Sequence, residues 1–440
     1  MPEARSGIDG GVNIVQLTPG AGGMYCGNCF RDNALVAEWR KMGHNAVMAS
    51  LYLPMTLDEE DQSKGAPVFF AGTNVYLSQI FPLFGKAPDW LRSWLASPAL
   101  LKWAGGRAAK TRADQLGDLT LSMIQGELGN QARDLDDLIA WLKNEEKPDV
   151  VCLSNALLIG MTRRIRNDVG VPVAIELQGE DSFLDSLPEP HRARCWAALR
   201  ERAAEVDVFI APSHYFAELM TKRLDLRPER VKVVYNGIRL DGYEPARAEI
   251  DPPTLGFFAR MCKEKGLDIL VAAFIHIRKN NFVPNLRLKI GGAMGPSDEP
   301  FVAKLKEDLR ANGLLSNVEF HPNLDKAAKQ AFMKTLSVLS VPALYGEAFG
   351  LYLIEAWASG VPVVQPRHAA FPELVNASGA GAICEPRNPI ALATAIAEVL
   401  NTPGKRKQLS DAALKASRTT FNVSAMATGI LRELPTKKAA

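Results

Sequence analysis

Short runs of β-branched and aliphatic residues alternate along the chain with longer stretches patterned as helices. VNIVQL (12–17) reads as a strand, then the loop TPGAGGMYCGN, then a helix through RDNALVAEWRKMG that Gly43 ends. NAVMASLYL (45–53), DVVCLS (149–154), VPVAIEL (171–177), VDVFIAP (206–212) and VKVVYN (231–236) read as the next strands, with helical segments between most of them. The stretch VYNGIRLDGYEPARAEIDPP is rich in Pro, Gly and charge, as a linker is. After it the pattern restarts with TLGFFAR, LRLKIGG, NVEFHP, LSVLSVPA, VPVVQP and GAICEP. Strands interleaved with helices predict parallel sheets covered on both faces. Two such series predict an α/β protein of two doubly wound domains. Their ligands should lie beyond the carboxyl ends of the strands, in the cleft between the domains.

One segment breaks the alternation. Residues 54–130 include FPLFGKAPDWLRSWLASPALLKWAGGRAAKTRADQ, with three of the seven tryptophans, Trp90, Trp94 and Trp103, among Lys86, Arg92, Lys102, Arg107, Lys110 and Arg112. It reads as an insertion in the first domain. A packed lid, an acceptor surface on which aromatic faces stack, and a weak membrane-surface contact through about residues 80–112 all fit this composition.

The overall balance narrows the function. Fifty-one basic against 49 acidic residues leave a net charge of +2, which excludes a broad nucleic-acid-binding surface. No apolar run reaches the ~20 residues of a membrane span, and MPEARSGIDGG has no apolar signal-peptide core. A cytoplasmic protein is expected, with its six cysteines reduced.

The strongest chemical signal is YGEAFGLYLIEAWASGVPVV (345–364). A strand ends near Pro342, and a glycine-flanked loop leads into a helix expected from about Phe349 to Ser359, with Gly360 as its stop. Glu347 and Glu355 are eight residues apart; both helical, they would lie ~80° apart around the axis and ~12 Å along it. Glu347 is therefore better placed in the loop, facing a ligand at the helix start. The N–H groups of Ala348, Phe349, Gly350 and Leu351, with the helix dipole, can hold a phosphate there. Glu355 can then reach a hydroxyl pair further along the ligand. In GFFARMCKEKGLDIL (256–270), Arg260 and Lys265 sit at a strand-to-helix turn, a pairing that suits a diphosphate.

Two weaker patterns stand apart. Cys26 and Cys29 in CGNC have thioredoxin-like spacing at a helix start, and loop packing, a redox-sensitive pair and metal binding all fit it. Asp134–Leu135–Asp136 matches a metal-binding D-x-D, but it lies in an amphipathic helix where both acids are expected on the wet face. No metal site is expected.

Together these elements resemble glycosyltransferase family 4, the retaining nucleotide-sugar enzymes of GT-B fold. The resemblance extends to LTPGAGGMYCGN, APSHYFAELM (211–220), VVYNGIRLDGY (233–243), LKIGGAMG (288–295) and PELVNASGAGAICEPRNPIALATAIAEVL (372–400), in the expected order along nearly the whole chain. It implies a hexosyl transfer from a nucleotide-diphosphate sugar, itself a co-substrate, to an unidentified acceptor, without metal or cofactor. It implies Glu347 at the donor sugar, Glu355 at the ribose hydroxyls, Arg260 and Lys265 at the diphosphate, and Asn236 among the donor-binding residues. Gly22 and Gly23 would face the donor from the first domain. The domains would be 1–242 and 243–416, with 417–440, helical over about 417–434, packing back on the first. An epimerase or phosphorylase of the same fold, or an inactive sugar-nucleotide binder, are the alternatives. Family members often carry a histidine after the strand matching VPVAIEL; here the sequence reads QGED, making Gln178, Glu180 and Asp181 the acceptor-side candidates. The common E-G-F-G is here E-A-F-G.

Overall fold

The computed structural model describes residues 11–20, 27–52, 59–70, 113–246 and 250–435. The chain divides into two compact units. One comprises Met1–Pro212, Ala217–Val234 and Ala427–Ala440, the other Ser213–Phe216 and Tyr235–Met426.

In the first unit β1 (Asn13–Thr18), β2 (Asn45–Ser50), β3 (Val150–Leu153), β4 (Val173–Glu176), β5 (Val208–Ala211) and β6 (Val231–Val233) form a parallel sheet in the order β2-β1-β3-β4-β5-β6. Its helices are α1 (Gly27–Lys41), α2 (Ala113–Gln125), α3 (Ala132–Trp141), α4 (Glu180–Ser186), α5 (His191–Ala203) and α6 (His214–Arg223), the first residues of α6 belonging to the second unit. The VVCL of β3 and VAIE of β4 are wholly buried, as parallel strands covered on both faces are.

In the second unit β7 (Thr254–Phe258), β8 (Arg287–Gly292), β9 (Val318–Pro322), β10 (Val338–Leu339), β11 (Val363–Pro366) and β12 (Gly381–Cys384) run parallel in the order β12-β11-β10-β7-β8-β9. They alternate with α7 (Leu267–Lys279), α8 (Glu299–Ala311), α9 (Lys326–Met333), α10 (Leu351–Ala358), α11 (Phe371–Ser378), α12 (Pro389–Asn401) and α13 (Lys405–Thr419), and α14 (Val423–Glu433) begins in this unit and ends in the first. The sequence-predicted strands all appear, most of them shorter than read.

The C-terminal reading needs correction. The expected single helix over 417–434 is two helices, parted where Phe421 turns inward. Its ring packs on Trp357 and Tyr235, at 5.1 and 5.4 Å between centroids, in the second unit's core. From Ala427 on the chain goes with the first unit, where the Ala427 carbonyl accepts a bond from Trp39 Nε1 at 3.3 Å.

The first unit buries a charged cluster. Arg31 on α1 donates to Asp32 at 2.9 Å and pairs with Glu176 at the end of β4, all three enclosed. One guanidinium faces two carboxylates, with the Cys152 thiol close enough to feel both acids. Burial pushes the Asp32 and Glu176 carboxyls upward against the pull of Arg31. The folded chain therefore holds protons that the unfolded chain releases, so this cluster's contribution to stability falls as pH rises above the ordinary carboxylate range. Glu176→Gln should flatten that fall. Urea unfolding at about pH 5 and about pH 8 measures it: the parent should lose more stability between the two than the variant, and equal losses would refute the assignment.

Candidate functional site

In the second unit β7 and β10 lie side by side, Val338 opposite Leu255 and Leu339 opposite Gly256. The chain leaves β7 toward β8 and β9, and leaves β10 toward β11 and β12. The gap between the two loops is thus the switch point of a doubly wound sheet, where such folds take ligands. The loop after β7 carries Arg260 to Gly266, and the loop after β10 carries Ala343 to Gly350. Two contacts clamp them together. The Leu344 amide donates to the Glu264 carbonyl at 2.9 Å. Gly266 has φ +72°, and a Cβ on it would stand 2.0 Å from the Pro342 carbonyl oxygen.

That clamp brings Lys265 onto Glu347. Lys265 Nζ donates to Glu347 Oε2 at 2.6 Å and to the Tyr345 hydroxyl. The hydroxyls of Tyr345 and Tyr352 donate to the same Oε2 at 3.2 and 3.0 Å. The ammonium also stands 4.8 and 5.6 Å from the two ring centroids, within cation–π range. Burial opposes the Lys265 charge, but the Glu347 carboxylate overrides it and holds the ammonium protonated above its ordinary range. Burial and Glu347 together push the Tyr345 and Tyr352 hydroxyls up, so both stay neutral donors. Glu347 Oε1 accepts from no described residue, and one of the three ammonium protons remains unassigned.

Behind this cluster α10 begins at Leu351, two residues later than expected, because Gly350 takes a left-handed conformation with φ +88°. Ala348 and Phe349 are therefore loop residues. Ser213 Oγ donates to the Ala348 carbonyl at 2.7 Å, and the Ala370 amide to the Glu347 carbonyl at 3.3 Å, which fix the loop from both sides. The opening amides of a helix lack partners within the helix, and Leu351 starts α10 within this fixed loop. Glu373 caps α6 in the same unit, accepting from the His214 and Tyr215 amides at 2.8 and 3.1 Å.

The other predicted residues are placed differently. Arg260 does not share a described partner with Lys265; its Nε and Nη2 fork onto Asp298 at 2.9 to 3.1 Å, Nη2 also reaches Ser297 Oγ at 3.3 Å, and Nη1 meets no acceptor among the described residues. Arg260 holds the Asp298 carboxyl down against its burial. Glu355 is no open carboxylate: Lys329 on α9 donates to its Oε1 at 2.6 Å, with both side chains 10% exposed. Asn236 is buried.

In the first unit Glu180, an acceptor-side candidate, is engaged by the main chain through both oxygens. Its Oε1 accepts from the Ala156 amide at 2.7 Å, and its Oε2 from the Gln178 and Gly179 amides at 2.9 and 3.0 Å. It is a brace that shapes the Gln178–Gly179 turn. Asp181 is buried, which pushes its carboxyl up, and its Oδ1 has no donor among the described residues. Asp134 is buried and only Asp136 lies on the wet face, paired with Arg164 at 2.7 Å. Among the described residues no three His, Cys, Asp or Glu are grouped to hold a metal. Cys29 is buried in α1. Gly22, Gly23, Cys26 and the tryptophan-rich residues 71–112 lie outside the described residues.

Sequence reading missed Tyr345, Tyr352, Lys329 and Asp298. The tyrosines flank Glu347 at offsets of two and five, a signal visible in the motif once Glu347 is in a loop. Lys329 and Asp298 carry no local signal, since their partners are far along the chain.

Two family models match in tandem: Glycosyltransferase Family 4 over residues 121–241 and Glycosyl transferases group 1 over residues 244–416. The chain belongs to glycosyltransferase family 4. It is 25% identical over 254 residues to a D-inositol 3-phosphate glycosyltransferase of Corynebacterium glutamicum, covering 54% of this chain and 60% of the relative. A protein of the same name from Segniliparus rotundus is 29% identical over 240 residues, 52% of each chain. The match thus spans little more than half the length of these curated relatives. Among solved structures, HepE of Anabaena in complex with UDP superposes with a TM-score of 0.67 at 16% identity, covering 96% of this chain and 98% of that one. Sucrose-phosphate synthase of Thermosynechococcus elongatus gives 0.66 at 16% identity, covering 95% and 97%. The fold is that of the GT-B glycosyltransferases, and the candidate site lies wholly in the part matched by the group 1 model.

The loop clamp is testable in this family 4 chain. Gly266 and Gly313 share similar left-handed φ, +72° and +66°, but a Cβ on Gly313 meets nothing within 4 Å. Gly313→Ala should cost ~1 kcal/mol in urea unfolding, the conformational term alone. Gly266→Ala should cost clearly more, because the methyl meets a main-chain carbonyl. Equal losses would show that the two loops are not clamped.

Proposed function

We propose that this chain is a retaining glycosyltransferase that moves a hexosyl group from a nucleotide-diphosphate sugar to an acceptor hydroxyl. The observation that carries the reading is the Lys265–Glu347 pair ahead of α10, with one carboxylate oxygen and one ammonium proton unassigned. A sugar hydroxyl donates to Glu347 Oε1. The spare ammonium proton of Lys265, Nη1 of Arg260 and the opening amides of α10 meet the diphosphate. The C1–O bond to the β-phosphate breaks, the acceptor oxygen bonds to C1 on the same face, and the acceptor's proton passes to the departing phosphate oxygen. The two cations and the helix start stabilise that leaving group, the role a preorganised electrostatic site plays in transfer reactions.

The family membership supports this reading, as do the inositol phosphate acceptor in the relatives' names and the UDP bound by HepE. A UDP-sugar panel with D-inositol 3-phosphate among the acceptors is therefore the first assay, with the product anomer read by NMR. Retention is expected, and inversion would overturn the mechanism. Lys265→Ala and Glu347→Ala should each lower turnover ~10²-fold or more. Near-parental turnover in both variants would reject the site.

A further inference from the structure

The two acids of the motif share a design that the sequence does not display. Glu347 is held through Oε2 by Lys265, and its Oε1 is left open. Glu355 is held through Oε1 by Lys329, and no described residue donates to its Oε2. Glu355 is the one charged residue of α10, whose Tyr352–Ala358 stretch is buried throughout. Lys329 comes from α9, a helix whose start is fixed by Asp325 accepting from the Ala328 amide at 2.7 Å. Breaking a buried ion pair is costly, yet such a pair adds little net stability over well-packed apolar residues. What the pair does supply is orientation: a carboxylate gripped by one oxygen keeps the other aimed in one direction.

We propose that Lys329 is a positioning residue for the donor's ribose, acting through Glu355; this rests on the nucleotide-sugar reading above. The ammonium fixes the rotation of the Glu355 carboxylate, so that Oε2 accepts from a ribose hydroxyl. Lys329 thereby sets the preference for ribo- over deoxyribonucleotides at this site, and does so without touching the sugar that is transferred.

Product binding tests this without knowledge of the acceptor. Whichever of UDP, GDP and ADP binds the full chain best is titrated by calorimetry beside its 2′-deoxy analogue, on the parent, Lys329→Met and Lys329→Arg. The parent should prefer the ribo form ~10-fold or more, the size of a hydrogen bond to a charged group. Lys329→Met should cut that preference to less than ~3-fold, and Lys329→Arg, which keeps a cation, should retain most of it. The two ligands are compared on one protein, so general damage to the fold weakens both alike and leaves the ratio unchanged. An unchanged ratio in Lys329→Met overturns the proposal, as does a parent that binds both forms equally. If Lys329→Met does not fold, Lys329→Gln is judged by the same ratio. A parent that binds none of the three diphosphates rejects the nucleotide-sugar reading itself, and the proposal with it.

Discussion

The candidate site depends on one adjacency, that of β7 and β10 in the second sheet. These strands are about eighty residues apart in sequence, Leu255 beside Val338, and their pairing puts two loops of different origin at one edge. Because the chain departs from them in opposite directions, no crossing helix fills the space between the loops. Gly266 then determines how near they come, since its bare Cα lies against the Pro342 carbonyl. Lys265 and Glu347 meet only because that approach is close.

Around this contact the chain places groups that restrain one another. Two phenols and an ammonium converge on a single oxygen of Glu347, and the phenols stay protonated because burial and the carboxylate they serve both raise their pKa. Arg260 is anchored separately on Asp298, so the two basic residues of one loop are oriented by different acids. Lys329 and Glu355 repeat the arrangement across α9 and α10.

Most of the architecture was legible in the sequence. The strands VNIVQL, VPVAIEL and TLGFFAR are β-branched or aromatic runs bounded by turn residues, and such local signals survive folding. Glu347, Lys265 and Arg260 stood out because each sits at a strand-to-helix turn. Their partners did not, because a pairing such as Lys329 with Glu355 depends on which helices the fold packs together. The surroundings of Glu180 were hidden for a related reason: a carboxylate beside a glycine turn shows no main-chain partner in sequence. In the fold three main-chain amides, one of them from Ala156, use both its oxygens. The break between α13 and α14 was hidden too, since Phe421 fits a helical pattern, and only the fold shows its ring packed on Trp357 and Tyr235.

The enclosure of Lys265 has a thermodynamic consequence. An ammonium in bulk water is strongly hydrated, and a ligand anion that approaches it must strip that shell away. Here two aromatic faces, a phenol oxygen and a carboxylate replace most of the shell when the protein folds. Much of the dehydration of the cation is thus done before any ligand arrives, and an incoming phosphate meets a donor whose direction is already set. Much of the selectivity between a correctly and an incorrectly placed anion then resides in the empty protein.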